Sequence, residues 1–222
     1  MSNRERILEA AKALFNQYGP LNVGTNKIAD YLQISPGNLY YHFQNREEII
    51  RTIFLEISDA ADRAVQVGTP GRGSMADLGD VLLNSVQVVW HYRFFYGNLV
   101  QLLRNDPKLK ALYLQRRETS LAFLEAVLRD WLQNRHDRDG LSETDLKILA
   151  TNVWIVAVNW IGFLQIEKED NQITRPDLLR GAFQILEIMK PYLDQETIRL
   201  VHDRLHTRLQ ELEQNSRFGN TG

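Results

Sequence analysis

The chain of 222 residues contains no cysteine, which excludes disulfides and thiolate metal sites and suits a reducing compartment. It has no run of about 18 uncharged apolar residues, so no membrane-spanning helix is expected. The opening MSNRERILEA lacks the apolar core of a signal peptide and is already amphipathic, so the expected location is cytoplasmic. Strong charge of one sign is also missing. A net charge of −2 excludes a protein that coats nucleic acid over its whole surface, so any such contact is local. There is no glycine-rich phosphate loop and no G-x-S-x-G elbow. DRDG at 137–140 is too short for a calcium loop, and His202 and His206 lack a third ligand at a telling spacing. No enzyme, metal site or cofactor is expected.

What the chain does have is helical periodicity nearly throughout, with no strand pattern and no internal repeat. Ser2 and Glu5 have the spacing of a capping box. Ile7, Leu8, Ala11, Leu14, Phe15 and Tyr18 then form one face, until Gly19 and Pro20 signal the exit. A short second helix is expected over 26–33, capped by Thr25 or Gly24, with Ile28, Ala29 and Leu32 inward. Ser35 caps a third helix whose first position is Pro36. A fourth starts at Asn45, with Glu48 three residues on, and carries Ile49, Ile50, Ile53, Phe54, Ile57 and Ala61 to about residue 66. GTPGRGS at 68–74 reads as a linker. Longer apolar helices are expected near 75–104, 108–132, 142–167, 175–192 and 195–214, with breaks at 106–107, 134–140 and 168–176 and a frayed tail from Arg217. The fold class is all-α. A three-helix DNA-binding head at 1–46, a connecting helix at 47–67 and a larger helical body at 75–214 make up the expected domains.

Two short helices joined by a tight turn and packed on a first helix describe a helix-turn-helix unit. Ile28, Ala29, Leu32, Ile34, Leu39 and Phe43 supply its core. Pro36, Gly37, Asn38, Tyr40, Tyr41 and His42 are left on or near the surface of the third helix. Asn38 has the amide geometry to read an adenine edge, and the tyrosine hydroxyls and the histidine N–H are donors for phosphate oxygens. Gly37 brings the backbone close to a partner. Residues 1–46 hold five basic groups, Arg4, Arg6, Lys12, Lys27 and Arg46, against Glu5, Glu9 and Asp30.

The stretch GTNKIADYLQISPGNLYYHFQNREEII resembles the DNA-binding segment of the TetR family, the tetracycline-repressor-like regulators. The shared pattern is I-A-x-x-L-x-[IV]-S-x-G-x-L-Y-x-[HY]-F, and the likeness covers about residues 4–57. It implies an all-helical homodimeric repressor with a ligand pocket in the body. The family's base-reading positions fall on Pro36, Gly37, Asn38 and Tyr41 or His42. Its phosphate-contacting positions fall on Thr25, Asn26, Ser35, Tyr40, His42 and Arg46. One departure is Gln33, where many members have glycine. Either Gln33 adopts a positive φ or the turn differs.

In the body, LKILATNVWIVAVNWIGFLQI at 146–166 is apolar nearly all round. With 178–193 it is expected to form a four-helix interface with a second copy, unless it is an internal core helix. Residues 88–103 concentrate aromatics. An effector cavity is expected around Trp90, His91, Phe94, Phe95, Tyr113, Phe123, Trp154, Asn159, Trp160 and Phe163. Such a lining suits a small, largely apolar effector with one or two hydrogen-bonding atoms. The expected function is a dimeric repressor released from a palindromic double-stranded DNA operator by that effector. Two alternatives stand beside it. One is the same fold working as an activator or under a partner protein; the other is a helical interaction module that has lost DNA binding.

Overall fold

Ser2 Oγ accepts from the Glu5 amide at 3.2 Å while Glu5 Oε2 accepts from the Ser2 amide at 2.6 Å, closing the capping box ahead of α1 (Asn3–Tyr18). This is the first helix of a computed structural model that describes residues 1–66, 78–133, 142–169 and 172–218. Ile7, Leu8, Ala11, Leu14 and Phe15 are buried as expected, but Tyr18 lies 44% exposed with the Lys27 ammonium 3.6 Å from its ring centre. Gly19 ends α1 with φ of 78°, and a 3-10 turn (Pro20–Asn22) follows. Gly24 caps α2 (Thr25–Leu32). Gln33 then takes the left-handed conformation, φ 56° and ψ 41°, its N–H bonding back to the carbonyls of Ala29 and Asp30. The turn therefore keeps the geometry that glycine would supply, at a cost of about 1 kcal/mol.

Ser35 Oγ accepts from the Asn38 amide at 3.2 Å and opens α3 (Pro36–His42). Before α4 (Arg46–Gln66), Asn45 Oδ1 accepts from the Glu48 amide at 2.8 Å. Glu48 answers one residue early, accepting from the Gln44 amide at 2.7 Å, so only half of a capping box forms.

The expected helix over 75–104 is three shorter ones: α5 (Leu78–His91), α6 (Arg93–Gly97) and α7 (Leu99–Asn105). The first break is held by a residue far away in sequence. Asn16 of α1 donates to the His91 carbonyl at 2.9 Å and accepts from the Phe94 amide at 3.0 Å, satisfying two backbone groups that the kink frees. Next comes α8 (Pro107–Gln133), whose start Asp106 caps while pairing with Arg51 of α4 at 2.5 Å. Capping boxes at Ser142 and Thr174 open α9 (Glu143–Glu167) and α10 (Arg175–Met189). A 3-10 turn (Lys190–Tyr192) leads to α11 (Gln195–Phe218).

One apolar cluster runs from the head into the body. It joins Ile7, Phe15, Ile28, Leu39, Phe43, Ile49 and Ile53 to Phe94, Phe95 and Leu102, each large side chain contributing about 2 kcal/mol. A second cluster unites α5 and α8 to α11 around Leu128, Leu146, Leu179, Leu186 and Leu205. By length and mean hydropathy α9 would suffice to cross a bilayer, against the sequence expectation, but here it packs on α6, α8 and α10. Gly181 permits its close approach to α10. A Cβ there would lie 2.7 Å from Trp160 Cδ1, and Trp160 is fixed in turn by donating Nε1–H to the Asp177 carbonyl at 2.9 Å. Nor is α10 an outward apolar face. Leu178, Leu179, Ala182, Ile185, Leu186 and Met189 are buried within the chain, leaving Arg180, Gln184 and Glu187 outside. The expected linker at 68–74, the break at 134–140, residues 170–171 of the break at 168–176 and residues 219–222 of the tail lie outside the described residues.

Candidate nucleic-acid interface and body cavity

The packing of α3 sorts its side chains into two sets. Leu39 is fully buried, and Phe43, just beyond the helix end, is 1% exposed beneath the Arg4 guanidinium at 5.0 Å. Ser35, Pro36, Gly37, Asn38, Tyr40 and Tyr41 are exposed, and His42 is half-buried with its ring edge-on to Tyr41 at 5.1 Å. Tyr41 stands 86% exposed, a large aromatic with no protein to cover it. At Gly37 an added Cβ would meet nothing nearer than Ser35 Oγ at 3.9 Å, so internal packing does not require a glycine there.

Two of the phosphate-contacting candidates come together: Thr25 Oγ1 and the Tyr40 hydroxyl lie 3.2 Å apart, linking the start of α2 to α3. Asn26 is exposed beside them in sequence. Arg46 is half-buried, donating to the Leu21 carbonyl at 3.2 Å and paired with Glu47 at 2.8 Å. Lys12 is not part of any outward charge. It is 5% exposed and holds α1 to α4 by contacts of 2.6 Å to Glu9 and 2.9 Å to Glu56. Burial alone would lower its pKa, but those hydrogen bonds and charges leave the ammonium above its ordinary value.

In the body, α4, α5, α6, α8, α9 and α10 surround a cavity of about 450 Å³. Its wall is mainly apolar: Phe54, Ile57 and Val65 from α4, Val81, Leu82 and Val88 from α5, Phe95 from α6, Phe123 and Val127 from α8, Val153 and Ala157 from α9, and Ile185 from α10. Ser58, Asp62, Ser85, Tyr96, Tyr113, Arg116, Arg117 and Ser120 add polar groups. Burial raises the Tyr96 phenol far above its ordinary pKa, so it is a neutral hydroxyl.

Of the ten residues offered for the cavity, Phe95, Tyr113, Phe123 and Trp154 stand on its wall. The others are placed elsewhere because the α5–α6 break and the outer face of α9 turn them away. Trp90 lies under the guanidiniums of Arg93 and Arg175, at 4.4 and 5.5 Å, and His91 is exposed. Phe94 packs on Phe15 in the head core at 5.1 Å. Asn159 is exposed and donates to the Ile155 carbonyl at 3.0 Å. Trp160 stacks with Phe163 at 5.0 Å, and Phe163 is half exposed to the exterior.

Comparison with known proteins matches both parts of this architecture. Residues 7–53 fit the family described as bacterial regulatory proteins, tetR family, and residues 58–200 fit the TetR model described as a bacterial transcriptional repressor. The chain belongs to the TetR family. A TetR-family transcriptional regulator from Marinobacter aquaeolei VT8 is similar at 33% identity and a TM-score of 0.79, over 92% of this chain and 98% of that one. The transcriptional regulator UidR of Escherichia coli K12 is 27% identical over 172 residues, 75% of this chain and 83% of its own length. GusR of Salmonella enterica shares the fold at a TM-score of 0.60 and 19% identity, covering 84% of this chain and 95% of that one. The protein is therefore a transcriptional regulator with a helix-turn-helix DNA-binding head, and not an enzyme.

In this TetR-family chain the sequence reading missed the contribution of α4 to the cavity. By spacing, Phe54, Ile57 and Ala61 read as a core stripe, yet with Ser58, Asp62 and Val65 they form one side of the cavity wall. Arg116 and Arg117 were missed too. Their signal was present, because Tyr113, Arg116, Arg117 and Ser120 share one helical face.

Proposed function

We propose that the protein is a homodimeric repressor that binds a palindromic DNA operator through α3 and is released by a small, largely apolar effector held in the body cavity. The observation that supports this most directly is the double use of α4. Its first half, Ile49, Ile50 and Ile53, is buried in the head core, and its second half, from Phe54 to Val65, borders the cavity. A ligand that prefers one position of α4 therefore shifts the head, and DNA and ligand antagonise one another reciprocally. An open cavity of about 450 Å³, within the usual range for small-ligand sites, favours a small effector over a partner protein. Action on DNA places the regulator in the cytoplasm.

The outer face of α9 is the dimer seam in this reading. Ile148, Ile155 and Gly162 form one heptad row and Asn152, Asn159 and Ile166 the next, with Phe163 beside them. Ile148, Ile155, Phe163 and Ile166 are 50–82% exposed, and a Cβ on Gly162 would meet nothing within 4 Å. Two such faces cover one another and carry two heads to successive major-groove turns.

Selection of bound duplex from a random pool gives the operator, and titration of that operator tests the reading. The expected site is a palindrome whose binding weakens steeply with salt. Asn38→Ala should cost about 1–3 kcal/mol and relax one base position. A protein that stays monomeric at micromolar concentration, or an operator indifferent to Asn38→Ala, overturns it.

A further inference from the structure

Four of the polar groups on the cavity wall come from a single helix. Tyr113, Arg116, Arg117 and Ser120 recur on one face of α8, and all four border the cavity. Asp62 is the one carboxylate among the described lining residues, so the wall carries two guanidiniums, that of Arg117 at its exposed border, against a single negative charge. Arg116 is bound to Asp62 and donates to the Ser58 carbonyl of α4 at 3.3 Å. Arg117 makes no ion pair or hydrogen bond among the described residues, although its charge acts on the Tyr113 phenol beside it. The Tyr113 hydroxyl borders the cavity beside Trp154 and carries a proton that it can donate. Burial, working against Trp154 and Arg117, holds that phenol above its ordinary pKa and therefore protonated.

Two cations, the Tyr113 hydroxyl beside them and a largely hydrocarbon cavity complement one kind of molecule. We propose that the effector is an apolar carboxylate whose body fills the cavity and whose anionic head binds Tyr113, Arg117 and Arg116, displacing Asp62; this rests on the reading of the cavity as the effector site. The displacement has a mechanical consequence. The Arg116 pair with Asp62 ties α8 to the last turns of α4, and the same α4 carries the head at its other end. A carboxylate that takes Arg116 loosens that tie, whereas a neutral molecule of the same shape leaves it closed.

Calorimetric titration of the full chain with decanoate, methyl decanoate and decylamine, below their micelle concentrations, tests the assignment. Decanoate should bind about tenfold or more tighter than its ester, as a charge-assisted contact gives. Arg117→Ala should bring decanoate down to the ester's affinity without changing the ester. Asp62→Asn, which removes the competing carboxylate, should tighten decanoate several-fold and leave the ester alone. The thermal midpoint of each variant shows that it is folded. Equal binding of acid and ester, preference for the amine, or a weaker decanoate complex in Asp62→Asn overturns the proposal. If the ester also binds and releases operator as well as the acid does, only the carboxylate assignment falls. If none of the three binds and the cavity-filling Ala157→Phe leaves operator affinity unchanged, the effector reading of the cavity falls with it.

Discussion

Head and body both present large side chains to space that protein does not fill, but on opposite sides of their helices. The head packs Leu39 and Phe43 inward and turns Asn38, Tyr40 and Tyr41 outward from a short helix. The body does the reverse, keeping Phe95, Tyr96, Tyr113 and Trp154 on the inside around open space. An outward-facing set suits a rigid partner as large as a duplex, whereas an enclosed set suits a molecule small enough to be surrounded. Burial alone does not separate function from packing. The position of the empty space does.

The largest expected effect breaks the head's two sets apart. Phe43→Ala removes a ring that is 1% exposed and should cost about 3–5 kcal/mol of stability in urea unfolding. Tyr41→Ala, two residues earlier but on the exposed side, should change stability by no more than about 0.5 kcal/mol while weakening operator binding. Comparable destabilisation by both would mean that Tyr41 packs on protein and that the outward set is not free for DNA.

The body offers a second contrast, between a joint that must stay closed and a cavity that must stay open. Asp177 is 3% exposed and secures the α9–α10 joint by accepting from the Thr174 amide at 2.9 Å, its hydroxyl at 2.7 Å, and Lys168 and Arg180 at 2.8 Å. Burial alone would raise its pKa, but the Lys168 and Thr174 contacts hold the carboxylate below its ordinary value. A depressed pKa contributes stability that is complete above the unfolded value, about 3.9, and is lost as pH falls through the folded one. Asp177→Asn should therefore cost about 2 kcal/mol at neutral pH, mostly through the cap because Lys168 and Arg180 are partly exposed. Paired unfolding curves should converge below about pH 4. A difference that persists unchanged into acid would show that the charge contributes nothing to the joint.

How legible each region was in the sequence follows from how local its causes are. The head is specified by neighbours: Ser2 with Glu5, Ser35 with Asn38, and Gly19 at a positive φ are signals within a few residues. The break between α5 and α6 was invisible because Asn16, 75 residues earlier than His91, is what satisfies it. Once that kink is in place Phe94 turns to the head and Phe95 to the cavity, a division that no helical spacing over 88–103 reveals. The cavity itself is a space between six helices, so its aromatics read equally well as core. Lys12 misled in the same way: it counts as a surface charge until Glu56, 44 residues on, takes it inside.

The smallest expected effect is the most discriminating, because it sets two glycines against each other. Gly181 is demanded from within, since a Cβ would strike the Trp160 ring at 2.7 Å. Gly37 is not: it has no positive φ, and a Cβ would meet nothing closer than 3.9 Å. Within the protein, alanine at 37 is the better helix former by up to about 1 kcal/mol, so Gly37→Ala should raise the thermal midpoint. A residue that lowers stability without any internal reason is explained if something outside needs the room. On that account Gly37→Ala gains stability and loses operator affinity together, in one protein and by one methyl group. If the midpoint rises while operator binding is untouched, the start of α3 does not approach the duplex backbone or bases closely. The reading contacts would then have to be carried farther along the helix, by Asn38, Tyr41 and His42 alone.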